Sequence, residues 1–266
     1  MATKRELLDA YNALSARLVR GTGQRASDLF IGLGSWRDSD FEQFLQVISQ
    51  TLSGASLQAA RLQVAFYKQM AEISGERFTA PDLRPQDFSV EALRNGAQAT
   101  EVYRRPFVDV YTALSEGKQV TQAINAGAQR ISSIASTDIQ LARRNAGFQA
   151  RSRNDRIVGY ARTLTGAENC ALCYVASTQR YTRGDLMPIH PGCDCGEMPI
   201  YGNQDPGQVI DEVRLNATHE AVEQRFGISD PGAREPDYRQ IAIREHGELG
   251  PMLTVADQNF TGPGAI

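Results

Sequence analysis

Apolar side chains recur at three- and four-residue intervals through residues 1–153, the spacing that places them on one face of a helix. Leu7, Leu8, Tyr11, Leu14, Leu18 and Val19 line the first such face, and Gly21, Thr22 and Gly23 are expected to stop it. Residues 32–36, with Gly32 and Gly34, read as a loop, after which Ser39 or Asp40 is placed to cap the next helix. Phe41, Phe44, Leu45, Ile48 and Leu52 form a second stripe. Leu57, Ala60, Leu62, Val64, Phe66, Tyr67 and Met70 continue it beyond Gly54, which marks a kink or a boundary. Pro81 and Pro85 assign residues 75–88 to a connecting loop, Ser89 caps a further helix start, and Pro106 is placed where a helix begins or bends. Residues 118–147 return to helical spacing through Val120, Ile124, Ala128, Ile131, Ile134, Ala135, Ile139 and Leu141.

The pattern changes near Asn154. Residues 157–164 read as a short strand, and residues 174–201, rich in Gly, Pro and isolated Tyr, as two or three short strands around a group of cysteines. A helix is expected over 206–226, stopped by Gly227, and a short helical stretch over 238–246. Residues 247–266 carry two Gly-Pro steps and read as an extended arm. The fold class expected is α+β, mostly α. Residues 1–153 form a helical bundle of about four to six helices, 154–227 a small metal-stapled α+β domain, and 228–266 a short helix with an extended tail.

A length of 266 residues suffices for a substantial core, and a formal charge of −3 argues against a dedicated nucleic-acid binder. The N-terminal twenty residues mix charge with apolar positions, unlike a secretory leader, and no apolar run is long enough to span a bilayer, so a soluble protein made in a cytoplasm and without membrane contact is expected. All four cysteines fall between 170 and 195, beside His190. In a reducing compartment such clustering favours metal over disulfides.

Cys170 and Cys173 form a Cys-x-x-Cys pair, and His190, Cys193 and Cys195 follow with Pro191 and Gly192 supplying a bend. Thiolates and an imidazole are the donors of a closed tetrahedral zinc site, so structural Zn2+ is the cofactor expected. Five candidates compete for four positions: Cys170, Cys173, His190 and Cys193 are preferred, with Cys195 as a packed neighbour or substitute ligand. A site filled by protein holds no water to activate, which points away from an enzyme. A zinc deaminase needs a His-x-Glu shuttle before its cysteine pair, and none precedes Cys170.

Cys170, Cys173, Pro188, His190, Cys193, Cys195 and Pro199 together resemble the signature of the phage Mu F-like head-morphogenesis family. Residues 245–254 and 260–263 are similar to the C-terminal tail of such proteins from actinobacterial phages. The sequence departs from the family at Asp194, where a basic residue is usual. The resemblance implies a structural minor capsid protein inside the virion head near the portal vertex, assisting head assembly and DNA ejection. Its implied partners are the portal protein, the scaffold or major capsid protein, and packaged DNA. The rival reading is a zinc-stapled nuclease of the His-Asn-His type, which would need a further catalytic His–Asn pair that the chain does not offer.

Arg143, Arg144, Arg151, Arg153, Arg156 and Arg162 form the densest basic stretch. They are candidates for contact with DNA phosphates or an acidic portal surface, against the plainer reading of a solvated helix face. His219 reads as a surface residue in a helix, and His246 as a helix-end or partner-contacting residue.

Overall fold

A computed structural model of the chain describes residues 3–164, 171–182, 195–226, 241–246 and 250–255. Helix α1 spans Lys4–Ile31 and α2 spans Asp38–Ile73. Thr3 and Glu6 cap α1 reciprocally, the Thr3 amide donating to Glu6 Oε2 at 2.7 Å and the Glu6 amide to Thr3 Oγ1 at 3.2 Å. These bonds to the carboxylate hold Glu6 below its ordinary pKa. Asp40 does take part in starting α2, from inside its first turn: its carboxylate accepts from the Arg37 amide at 2.8 Å and from Ser35 Oγ at 2.7 Å. The connection after α2 turns at Gly75 in the left-handed region, where the Glu76 amide closes back onto the Ala71 carbonyl at 2.9 Å. A 3-10 turn over Pro85–Phe88 and the one-turn helix α3, Val90–Leu93, follow, the latter capped by Ser89. Helices α4, Ala99–Ser115, and α5, Val120–Ser152, complete the bundle.

The central element is α5, packed against α1, α2 and α4 and buried over most of its circumference. At one end, Phe30, Phe41, Phe44 and Phe107 pack edge to face, with ring centroids 5.2 to 5.7 Å apart, and join the predicted stripe of Ile48 and Leu52 in the largest apolar cluster. Pro106 lies inside α4 without ending it, and its carbonyl faces Gly127 of α5.

Two expected interruptions are absent. Helix α1 continues through Gly21, Thr22 and Gly23, and α2 continues through Gly54. At Gly23 the reason is a close helix crossing: an added Cβ would meet Ser132 Oγ at 2.8 Å and Ser136 Oγ at 2.9 Å. Gly21 and Gly54 instead face open space. Gly21→Ala and Gly54→Ala are therefore expected to raise stability by roughly 0.5–1 kcal/mol each, by removing helix-interior glycine. Gly23→Val should lower it by about 1–3 kcal/mol through overpacking. Urea midpoints of the three variants test this, and equal tolerance at Gly23 and Gly54 would refute the crossing argument.

Beyond α5 the chain forms strand β1, Ile157–Thr163, where a short strand was expected over 157–164. Helix α6 covers Ala171–Ser177, β2 covers Arg180–Tyr181, and β3 covers Gly196–Tyr201. The sheet is antiparallel in the order β2-β1-β3, with Tyr160 opposite both Tyr181 and Pro199. The register shifts between Ile157 and Gly159, where a Cβ on Gly159 would stand 2.7 Å from the Tyr181 carbonyl. Helix α7 spans Glu212–Phe226, beginning later than expected, after the turn over Gly202–Gln204 and an irregular stretch.

The C-terminal expectation fails in kind. Ile241–His246 is strand β4, not a helix, and it pairs antiparallel with β5, Gly250–Val255, where a lone extended arm was expected. The described chain is thus mostly helical, with one small three-stranded antiparallel sheet and a separate hairpin. Among the described residues no helix is long and apolar enough to cross a membrane.

Candidate metal centre and the arginine stretch

Of the five sulfur and imidazole candidates, Cys173 and Cys195 are described; Cys170, His190 and Cys193 lie outside the described residues. Cys173 sits in α6, where a turn among strands was expected, and Cys195 immediately precedes β3. Both side chains are buried and meet in one small cluster with Ala176, packed on by Leu164 and Tyr181. Tyr181 is fixed over this cluster by three contacts. Its ring stacks on Tyr160 at 5.3 Å, its hydroxyl donates to the Ala176 carbonyl at 2.9 Å, and the Arg162 guanidinium lies 5.9 Å from its centroid. Burial pushes the Tyr181 hydroxyl above its ordinary pKa; Arg162 pulls it down, and the nearby Cys195 and Cys173 sulfurs push it further up.

The fold therefore brings one cysteine from each half of the sequence motif into a single buried apolar cluster. Two buried sulfurs side by side are half the donor set of a tetrahedral zinc site, so the chemistry of the described residues fits such an ion. Among the described residues no three His, Cys, Asp or Glu side chains converge on one point, so the remaining donors would have to come from the rest of the motif.

His219 is placed differently from its expectation. It is buried in α7, which packs on α6, and its Nε2 has no hydrogen-bond partner among the described residues. His246 lies in β4 rather than in a helix.

The arginine stretch is neither a phosphate-facing stripe nor a solvated helix face. Arg143 and Arg144 are buried within the bundle. Arg143 Nε donates to the Tyr11 hydroxyl at 3.0 Å, that hydroxyl donates to Gln63, and the guanidinium lies over the Tyr11 ring at 5.4 Å. Arg151 Nη1 donates to Glu197 Oε1 at 2.5 Å while its guanidinium stacks on Tyr160 at 4.1 Å. Arg162 is buried in the sheet. Only Arg153 and Arg156 are exposed, and Arg156 pairs with Glu76 at 3.2 Å. Most of these cations are structural parts of the bundle and of its junction with the sheet.

Glu197 is the residue that sequence reasoning missed. It lies two positions beyond Cys195 in β3, is almost fully buried, and accepts from Tyr67 at 2.7 Å as well as from Arg151. Gly147 leaves it room, since a Cβ there would fall 1.5 Å from Glu197 Oε1. Tyr201, at the end of β3, adds a hydrogen bond from its hydroxyl to the Tyr67 carbonyl at 3.3 Å. Burial drives the Tyr67 hydroxyl well above its ordinary pKa, with Glu197 pushing the same way, and pushes Tyr160 up to about 12. At neutral pH both phenols are therefore neutral donors. A single acid in an apolar strand, with an arginine-rich helix end upstream, was the available signal for this lock.

Asn154 closes the same junction from the α5 end. Its amide donates to the Thr79 and Ala150 carbonyls at 2.9 and 2.7 Å, and its carbonyl oxygen accepts from the Thr79 amide at 2.7 Å. Strand β3, which follows Cys195 directly, is thus bolted to α2 and α5. Comparison of the chain with family models, with curated proteins and with solved structures finds no match.

Proposed function

We propose that the chain is a structural minor head protein of a tailed phage, of the Mu F-like kind, acting at the portal vertex inside the head and assisting assembly and DNA ejection. The zinc-stapled segment is its rigid docking element and carries out no reaction. The reading rests on the sequence motif, and the observation that supports it is the burial of Cys173 of α6 and Cys195 in one cluster, Cys195 directly preceding a strand locked to the bundle. Cys170, Cys173, His190 and Cys193 are the preferred ligands, with Cys195 as packed neighbour or substitute, and with all four positions filled by protein the ion supplies folding energy alone. Its partners in this reading are the portal protein, the scaffold or major capsid protein, and packaged DNA.

Two measurements test the proposal. Elemental analysis of freshly reduced protein should find about one zinc per chain, lost in the Cys170→Ser/Cys193→Ser double variant, with a lowered melting temperature after chelation. Metal-free protein whose melting curve ignores chelators would end the zinc reading. Mass spectrometry of purified phage particles, before and after DNA ejection, should find the chain in few copies that co-purify with portal complexes; its absence from particles would end the assignment to the head.

A further inference from the structure

Gly21 of α1 and Gly54 of α2 lie inside helices, where glycine lowers stability, and the fold gives neither a reason to be glycine. An added Cβ at either would meet nothing within 4 Å, whereas Gly23 is required by the α1–α5 crossing. Both exposed glycines line one cleft between α1 and α2, of about 430 Å³. A second cleft, of about 450 Å³, continues it past Arg25, which lines both. The resulting groove follows α1 from Arg17 to its end, roughly 21 Å, enough for a helix of about four turns. Leu18, Leu29, Leu33 and Val47 give it apolar walls, and Val47 is 41% exposed.

The groove also carries charge in a fixed order. Arg17 and Arg25 each stand four residues from Gly21 on the same face of α1, so the two cations flank the glycine about 12 Å apart along the axis. Both are exposed, and neither is paired with a carboxylate among the described residues. Asp28, the acid in the groove, already accepts from Gln24 Nε2 at 2.8 Å. These features select the occupant. A concave face does not fill its own copy, and a second chain would set arginine against arginine. An extended strand needs a sheet edge for its backbone groups, which a helix pair does not offer. A helix brings its backbone groups already bonded, and glycine on both walls lets it approach closely.

We infer that this groove is the docking site of an acidic amphipathic helix from another protein. The contact face of that helix carries a small residue against Gly21 and Gly54. Carboxylates four residues before and after it meet Arg17 and Arg25. The two glycines thereby give up stability in the free chain for close approach in the complex. The groove shares no residue with the cysteine cluster, and the inference stands without the zinc reading.

The test is fluorescence anisotropy of the full chain with a labelled peptide of about 15 residues, stapled on its far face to hold it helical. Its near face carries a central alanine, flanking leucines and a glutamate four residues to each side; a twin has lysine in place of glutamate. The glutamate peptide should bind saturably, roughly tenfold or more tighter than its twin, and more weakly as salt rises. Arg17→Gln/Arg25→Gln should weaken it by roughly tenfold, the combined worth of two exposed ion pairs. Gly21→Gln and Gly54→Gln should each weaken it by roughly tenfold or more by filling the groove. Their melting temperatures should hold or rise, a combination that damage to the fold does not produce. No saturable binding, equal binding of the two peptides, or unchanged affinity in both glycine variants would overturn the inference. So would dimerisation of the free chain in analytical ultracentrifugation that the glycine variants abolish, because a second copy would then occupy the groove.

Discussion

Arg94→Met is expected to destabilise the protein by about 3–5 kcal/mol, one of the two largest effects of a single substitution in the bundle. Arg94 and Asp138 are both almost completely buried, and Arg94 Nε donates to Asp138 Oδ1 at 2.5 Å. The other carboxylate oxygen accepts from the Tyr103 hydroxyl at 3.0 Å, and Arg94 Nη2 reaches the Ile134 carbonyl at 3.1 Å. Removing the guanidinium leaves a carboxylate in the core with one neutral donor. The penalty is the desolvated charge that remains, not the worth of the pair. Arg94→Met/Asp138→Leu should accordingly recover most of the loss, since an apolar pair of similar volume strands no charge and leaves only the neutral Tyr103 hydroxyl without its acceptor. In thermal melts the single variant should fall by roughly 10 °C and the double variant by much less. A single variant within about 1 kcal/mol of the parent, or a double variant worse than the single, would show that the site tolerates an unpaired carboxylate.

The buried pair also explains what could be read in the chain and what could not. The helices of the bundle were legible because Phe41, Phe44, Ile48 and Leu52, and likewise Ile131, Ile134 and Ile139, repeat at the period of a helix and are buried as that period demands. Glycine misled because it has two uses that look alike in sequence. Gly21 to Gly23 read as a stop, yet Gly23 is there to let α1 approach α5 at the Ser132 and Ser136 positions. Residues 241–246 misled for the opposite reason. Ile241 and Ile243 alternate with period two, but six residues are too few to separate that from a helical turn, and the register with residues 250–255 is a non-local fact.

Charge was the least legible property. Arg143 is answered by Tyr11, which is 132 positions away, and Arg151 by Glu197, which is 46 positions away. Nothing local distinguishes such arginines from a solvated row, so a dense basic stretch read as surface is in fact largely interior. The cysteines were easier. Their clustering in sequence carries their chemistry, and Cys173 and Cys195 do come together, although Cys173 is delivered by a helix rather than by a strand-flanked turn.

The second large effect is expected at Gly147. Gly147→Ala places a methyl group 1.5 Å from Glu197 Oε1 and 2.6 Å from its carboxyl carbon, so the carboxylate must leave its seat. Its departure takes the carboxylate counter-charge from Arg151, whose side chain is 10% exposed, and the acceptor from the Tyr67 hydroxyl. The cost should again be about 3–5 kcal/mol, that of breaking a buried ion pair. Because β3 carries Glu197 and begins next to Cys195, the damage should appear first as looser docking of the sheet. Limited proteolysis should cut beyond residue 152 before the bundle is touched. Glu197→Ala separates steric displacement from general helix damage. It should cost a similar amount alone, and adding Gly147→Ala to it should cost under about 1 kcal/mol, giving a coupling of roughly 2–3 kcal/mol. Additive costs would mean that Gly147 matters for α5 itself and that the carboxylate is not what bolts β3 to the bundle.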